Sequence, residues 1–169
     1  MASALLLLDA QKNMLHPPAP VPDAQAVTAV IDRLLASARN AGALVIHVRN
    51  NGGPDDPDAP GASGWELAAE ALDSEQIVDK HERNAFAGTH LAELLPPGGN
   101  LVLAGMQSEY CIRETALGAV ELGYSVSLVR GAHATYDDEL PAEEASRNVE
   151  QELEAAGVCV VDPATVTFS

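Results

Sequence analysis

The chain is poor in positive charge, aromatic rings and cysteine, and it has no long apolar run. Nine Lys and Arg stand against 25 Asp and Glu, a formal charge of −16 over 169 residues. Such a surface repels phosphate backbones and acidic headgroups, which argues against nucleic acid and membranes as partners. The first apolar run, residues 4–8, is too short for a signal-peptide core or a membrane span and meets Asp9 at once. With only Cys111 and Cys159, a disulfide framework is excluded in practice, and free thiols fit a reducing, cytoplasmic compartment. Aromatics make up 4% of the residues, so the core must be built from Ala, Val and Leu, as in tightly packed α/β layers. The scarcest charge carrier is lysine, present only as Lys12 and Lys80.

What is present reads as one α/β domain over residues 1–169, long enough to bury a core without disulfides or metals. Short apolar runs at 4–8, 43–49, 76–79, 100–104, 125–129 and 158–161 alternate with segments of helical period, the pattern of βαβ units and a parallel sheet. Asp23 is placed to cap a helix whose Val27, Val30, Ile31, Leu34 and Leu35 share one face, with Gly42 as its stop. Further helices are expected at 110–122, ended by Gly123, and from Pro141 to before Gly157. Residues 50–64 are rich in Gly, Pro, Asp and Asn and read as a surface loop beside a substrate site.

In parallel α/β sheets ligands sit outside the carboxyl ends of the strands. Asp9 closes the first strand, Lys80 the third, and Cys111 follows the fourth after a turn over residues 105–110. In the first turn of a helix, Cys111 would face unpaired amides and the helix dipole, which lower a thiol pKa. The commoner fate of a cysteine in such a fold is an inert core hydrophobe, and spacing alone does not choose between the two. Asp9, at the rim of an apolar floor, is expected to have a raised pKa and to exchange a proton with Cys111, or else to cap a loop. Lys80 carries an ammonium on a stem able to cross about two strand spacings of roughly 4.8 Å toward Asp9, or it is a solvated loop lysine.

The segments Leu5-Leu6-Leu7-Leu8-Asp9-Ala10-Gln11, Lys80-His81-Glu82-Arg83-Asn84-Ala85-Phe86 and Ala104-Gly105-Met106-Gln107-Ser108-Glu109-Tyr110-Cys111 resemble the isochorismatase-like cysteine hydrolases in order and spacing. Gly64-Trp65-Glu66-Leu67 and Gly131-Ala132-His133-Ala134-Thr135-Tyr136 extend the likeness over nearly the whole chain. The resemblance implies a three-layer α-β-α fold with a six-stranded parallel sheet of order 3-2-1-4-5-6 and an Asp9, Lys80, Cys111 triad. It also implies a cis Met106-Gln107 peptide and an oxyanion hole made by the backbone amides of Gln107 and Cys111. The activity it implies is hydrolysis of a carbon-nitrogen bond in a small molecule through a covalent Cys111 intermediate. A vinyl ether hydrolase and a catalytically lapsed binding or assembly module on the same fold are the alternatives.

Some relatives hold a metal through an Asp-x-His pair and a second His before the lysine, a set this chain lacks. His47 therefore reads as a core or rim histidine. Asp79 and His81 are expected to point opposite to Lys80, and Asp55, Asp56 and Asp58 to form a solvated turn. No metal and no cofactor are expected. Gln11, Trp65, Asn84, Phe86 and Tyr136 are possible substrate contacts, and Cys159 is assigned to the core. A homo-oligomer, dimer or tetramer, is usual among such proteins. The dinucleotide-binding alternative lacks its Gly-x-Gly-x-x-Gly turn at residues 105–110, and a phosphatase would want Asp where Gln11 stands.

Overall fold

The structure is a computed structural model that describes Ala2 and residues 4–169. Six parallel strands form one sheet: β1 (Ala4–Leu8), β2 (Leu44–Asn50), β3 (Gln76–Lys80), β4 (Asn100–Met106), β5 (Ser125–Ala134) and β6 (Cys159–Val161). Their spatial order is β3-β2-β1-β4-β5-β6, so the chain reverses direction across the sheet between β1 and β4. Central β1 is apolar throughout because both its faces are covered.

Its side chains divide by the two-residue period. Leu5 and Leu7 face α2 (Ala24–Asn40) and the short α1 (Lys12–Leu15), where they meet Val27, Ile31, Leu34 and Leu35. Ala4, Leu6 and Leu8 face the layer of α3 (Leu91–Leu94), α4 (Arg113–Glu121) and α5 (Ala142–Ala155), among Leu91, Ile112, Ala116 and Leu153. The two apolar clusters sandwich the sheet into three layers.

Several boundaries differ from expectation for local reasons. Asp23 precedes α2 but does not cap it: its backbone is left-handed, with φ of 59°, and its side chain makes no cap hydrogen bond. The helix expected from residue 110 starts earlier, as a π-helical turn over Ser108–Ile112 that runs on into α4. β5 continues five residues past its expected end, to Ala134, after a register shift against β4 between Leu103 and Gly105. Cys159 is exposed on edge strand β6, not buried in the core. Gly105 explains the close approach of β4 to β1, because a Cβ there would lie 1.9 Å from the Leu8 carbonyl oxygen and its φ is 126°. Among the described residues, no helix is long and apolar enough to cross a membrane.

Candidate active site

The carboxyl ends of β1, β2, β3 and β4 converge on one cleft of about 370 Å³. Asp9 leaves β1 with a left-handed backbone, φ 50°, and its N–H donates to the Val48 carbonyl at 2.8 Å. That bend turns its carboxylate inward at the point where the strand ends. Lys80, the last residue of β3, reaches across beneath β2 with its side chain fully buried. Its Nζ lies 3.3 Å from Asp9 Oδ2 and donates to Cys111 Sγ at 3.2 Å, to Asn50 Oδ1 at 3.0 Å and to the Glu82 carbonyl at 3.0 Å. The three residues expected as a triad are thus brought together around one ammonium.

Asp9 Oδ1 is buried and has no hydrogen-bond partner. Burial pushes the Asp9 pKa up to about 6, against the pull of Lys80 and the neighbouring Cys111 thiol, and the charge of Asp58 adds to the rise. Cys111 departs from expectation. Burial first, and then the Asp9 charge, push its thiol up to about 12, and the Lys80 ammonium only partly opposes them. Cys111 also sits inside the π-helical turn, not at the start of an ordinary helix. The resting pair is therefore a neutral thiol beside a carboxylate that is mostly ionised at neutral pH. That is a base poised next to an acid, not a preformed thiolate.

The Met106-Gln107 peptide is cis, and Gln107 and Cys111 both line the cleft. Tyr136 lines it too, with its hydroxyl donating to the Ala19 carbonyl at 2.7 Å. The other four expected contacts are engaged elsewhere, and none lines this cleft. Gln11 is fully buried: its Oε1 accepts from Asn50 N–H, and its Nε2 donates to the Asn50 and Trp65 carbonyls. It is a strut that fixes Asn50, which in turn accepts from Lys80. Trp65 is pinned by a bond from Nε1 to Asn51 Oδ1 and by the Arg49 guanidinium 3.6 Å from its ring centre. Phe86 stacks on Tyr124 in the core, and Asn84 accepts from the Phe86 N–H.

Residues missed by the sequence reading complete the cleft. Asn50 stands just after the expected end of β2, where the strand-end rule looks, but its place at the head of the Gly- and Pro-rich segment 50–64 marks it as a loop residue; it is the last residue of β2. Asp58 is buried, not part of a solvated turn: its Oδ2 accepts from Asn50 Nδ2 at 2.7 Å, while Asp55 and Asp56 are exposed. His81 lines the cleft despite the expected alternation, because β3 ends at Lys80 and the chain bends there. Tyr110 lies under the Arg83 guanidinium, 4.6 Å from its ring centre. His47 pairs with Glu75 at 2.8 Å, away from the cleft. Among the described residues, no group of three or more His, Cys, Asp and Glu is placed to hold a metal ion.

The sequence pattern of the isochorismatase domain matches residues 3–160. The chain belongs to the isochorismatase family. A streptothricin hydrolase of Streptomyces noursei is 42% identical over 162 residues, which cover 89% of this chain and 59% of that protein. The chain thus spans less than two thirds of the length of that relative. A maleamate amidohydrolase of Pseudomonas putida is 34% identical over 149 residues, covering 75% of this chain and 70% of the other. The crystal structure of an isochorismatase from Pseudomonas putida KT2440 superposes with a TM-score of 0.87 at 29% identity, covering 97% of this chain and 90% of that one.

Proposed function

We propose that this member of the family hydrolyses the carbon-nitrogen bond of a small-molecule amide through a covalent thioester on Cys111. The observation that carries the reading is the single buried ammonium of Lys80, 3.2 Å from Cys111 Sγ and 3.3 Å from Asp9, beside a carboxylate oxygen with no partner. A carboxylate with a pKa of about 6 can take a proton and give it back within one catalytic cycle.

Asp9 accepts the thiol proton as Cys111 sulfur attacks the carbonyl carbon. The carbonyl π electrons move onto oxygen, which the backbone amides of Gln107 and Cys111 stabilise. Collapse expels the amine, which takes the proton from Asp9, and leaves a thioester. Asp9 then deprotonates a water that attacks the thioester, the thiolate leaves and recovers the proton, and a carboxylic acid is released. Lys80 keeps Asp9 ionised between steps and stabilises the transient thiolate, while Asn50 and the Glu82 carbonyl hold its ammonium in place.

The surroundings select by charge. The cleft opens past Gln107, Tyr110 and Tyr136 into a groove lined by Glu109, Asp137, Asp138, Glu139 and Glu152, where Arg113 is held by Glu152. This favours neutral or cationic amides over carboxylate substrates. Streptothricin, named by the relative that acts on it, is the first compound to try within a panel of small amides. Wild type should release an acid and an amine from at least one member, and Cys111→Ala should not. Equal turnover by the two proteins would refute the assignment.

A further inference from the structure

A second polar chain lies behind the catalytic turn, and the proposed chemistry does not use it. Ser108, fully buried, follows the cis peptide and precedes Cys111 by three residues. Its Oγ lies 2.7 Å from His133 Nδ1 and 2.9 Å from Ser146 Oγ, and His133 Nε2 lies 3.0 Å from Glu150 Oε1. His133 is 5% exposed and comes from the part of β5 beyond its register shift, opposite Gly105. Glu150 and Ser146 come from α5. One hydroxyl of the catalytic turn is thereby tied to two other elements.

The order of donors follows from the chemistry of the groups. The bond from His133 holds the Glu150 carboxyl below its usual range, so it is ionised and only accepts. Nε2 of His133 therefore carries a hydrogen. In neutral imidazole Nδ1 then accepts, Ser108 Oγ–H donates to it, and Ser108 Oγ is left to accept from Ser146 Oγ–H. Every polar atom of the chain is satisfied in one arrangement, and a satisfied buried network fixes one geometry. Ser108 cannot be a nucleophile here, because it is fully buried and absent from the cleft lining.

We infer that Ser108, His133 and Glu150 form a positioning relay that holds the turn between Gln107 and Cys111 in the geometry needed for catalysis. They act through the backbone of that turn and do not touch the substrate. The inference rests on the proposed amide hydrolysis for its kinetic consequence, but not for its structural one.

The test uses Glu150, whose side chain, 14% exposed, is the most accessible of the three. Glu150→Gln keeps an oxygen to accept from His133, whereas Glu150→Ala does not. Glu150→Ala is expected to lower kcat about tenfold with KM within about twofold, because misplacing reacting groups by a fraction of an ångström costs that order of rate. Glu150→Gln should recover most of the loss. Backbone amide exchange over residues 107–111 should speed up about tenfold in Glu150→Ala and in Ser108→Ala, as expected when a segment opens more readily.

Wild-type exchange over residues 107–111 in both variants would overturn the relay, as would an unchanged kcat in Glu150→Ala. A wild type that turns over no amide would instead remove the proposed function, and the exchange result would still decide the relay.

Discussion

Two buried carboxylates sit at opposite ends of the same sheet and meet opposite fates. Glu75, just before β3, accepts from Arg39 at 2.6 and 3.0 Å, from the Leu72 N–H at 3.0 Å and pairs with His47 at 2.8 Å. Burial alone would raise its pKa, but these partners outweigh burial and bring it down to about 2. Asp9, just after β1, keeps one oxygen unpartnered and is pushed up to about 6. Both side chains are nearly closed to solvent, 4% and 2% exposed, but Asp9 lies deeper in the protein, so heavier desolvation and fewer donors together separate the two. A fully satisfied carboxylate is a structural clamp; an undersatisfied one at the strand ends can take up a proton, as catalysis requires.

The largest effect that would break this comparison is on turnover. Asp9→Asn and Cys111→Ala should each cost on the order of 10⁴ in kcat, whereas Glu75→Gln should leave kcat within about twofold, measured on the same amide. A large kcat loss in Glu75→Gln would erase the distinction.

Stability should separate the two carboxylates by sign. Glu75 has a lowered pKa, so its contribution, about 3 kcal/mol, is present above pH 4.5 and lost as pH falls through about 2. Asp9 has a raised pKa, so its contribution, also about 3 kcal/mol, is full below pH 3.8 and lost as pH rises through about 6. Chemical denaturation across this range should therefore show wild type gaining on Glu75→Gln, and losing ground to Asp9→Asn, as pH rises.

A smaller effect concerns the rate profile. kcat/KM should fall on the acid side with a midpoint near pH 6, because protonated Asp9 cannot accept the thiol proton. Smallest is the shift expected for Asp58→Asn. Removing that charge lowers the Asp9 pKa and should move the acid limb to lower pH, readable in the same titration. A move to higher pH would contradict the electrostatic account of the cleft.

Only the Asp9 side of this contrast is legible in the sequence; Glu75 carries no sequence signal, and the rest of the site is hidden in part for physical reasons. Inspecting strand ends picked out Asp9, Lys80 and Cys111, because parallel sheets present such residues along one edge. Strand order came only through resemblance, since periodicity carries no information about which strands are neighbours. Asn50 is hidden by its place at the head of the Gly- and Pro-rich segment 50–64, although it stands just after the expected strand. Asp58 and the engagement of Gln11 and Trp65 depend on how the 51–75 segment folds back, which no local pattern specifies. The Cys111 thiol was misjudged because a helix-start argument omits the burial and the adjacent carboxylate that dominate it. The relay of Ser108, His133 and Glu150 joins three elements distant in sequence, with β5 longer than its apolar run suggested.

The central claim is that the proton of Cys111 passes to Asp9 as its sulfur becomes acylated. Rapid quenching of the enzyme with a turned-over amide, followed by peptide mass spectrometry, tests it directly. The account predicts an acyl group on the peptide containing Cys111 in wild type and none in Asp9→Asn. Steady turnover with Cys111 unmodified at every quench time, and retained in Cys111→Ala, would contradict it.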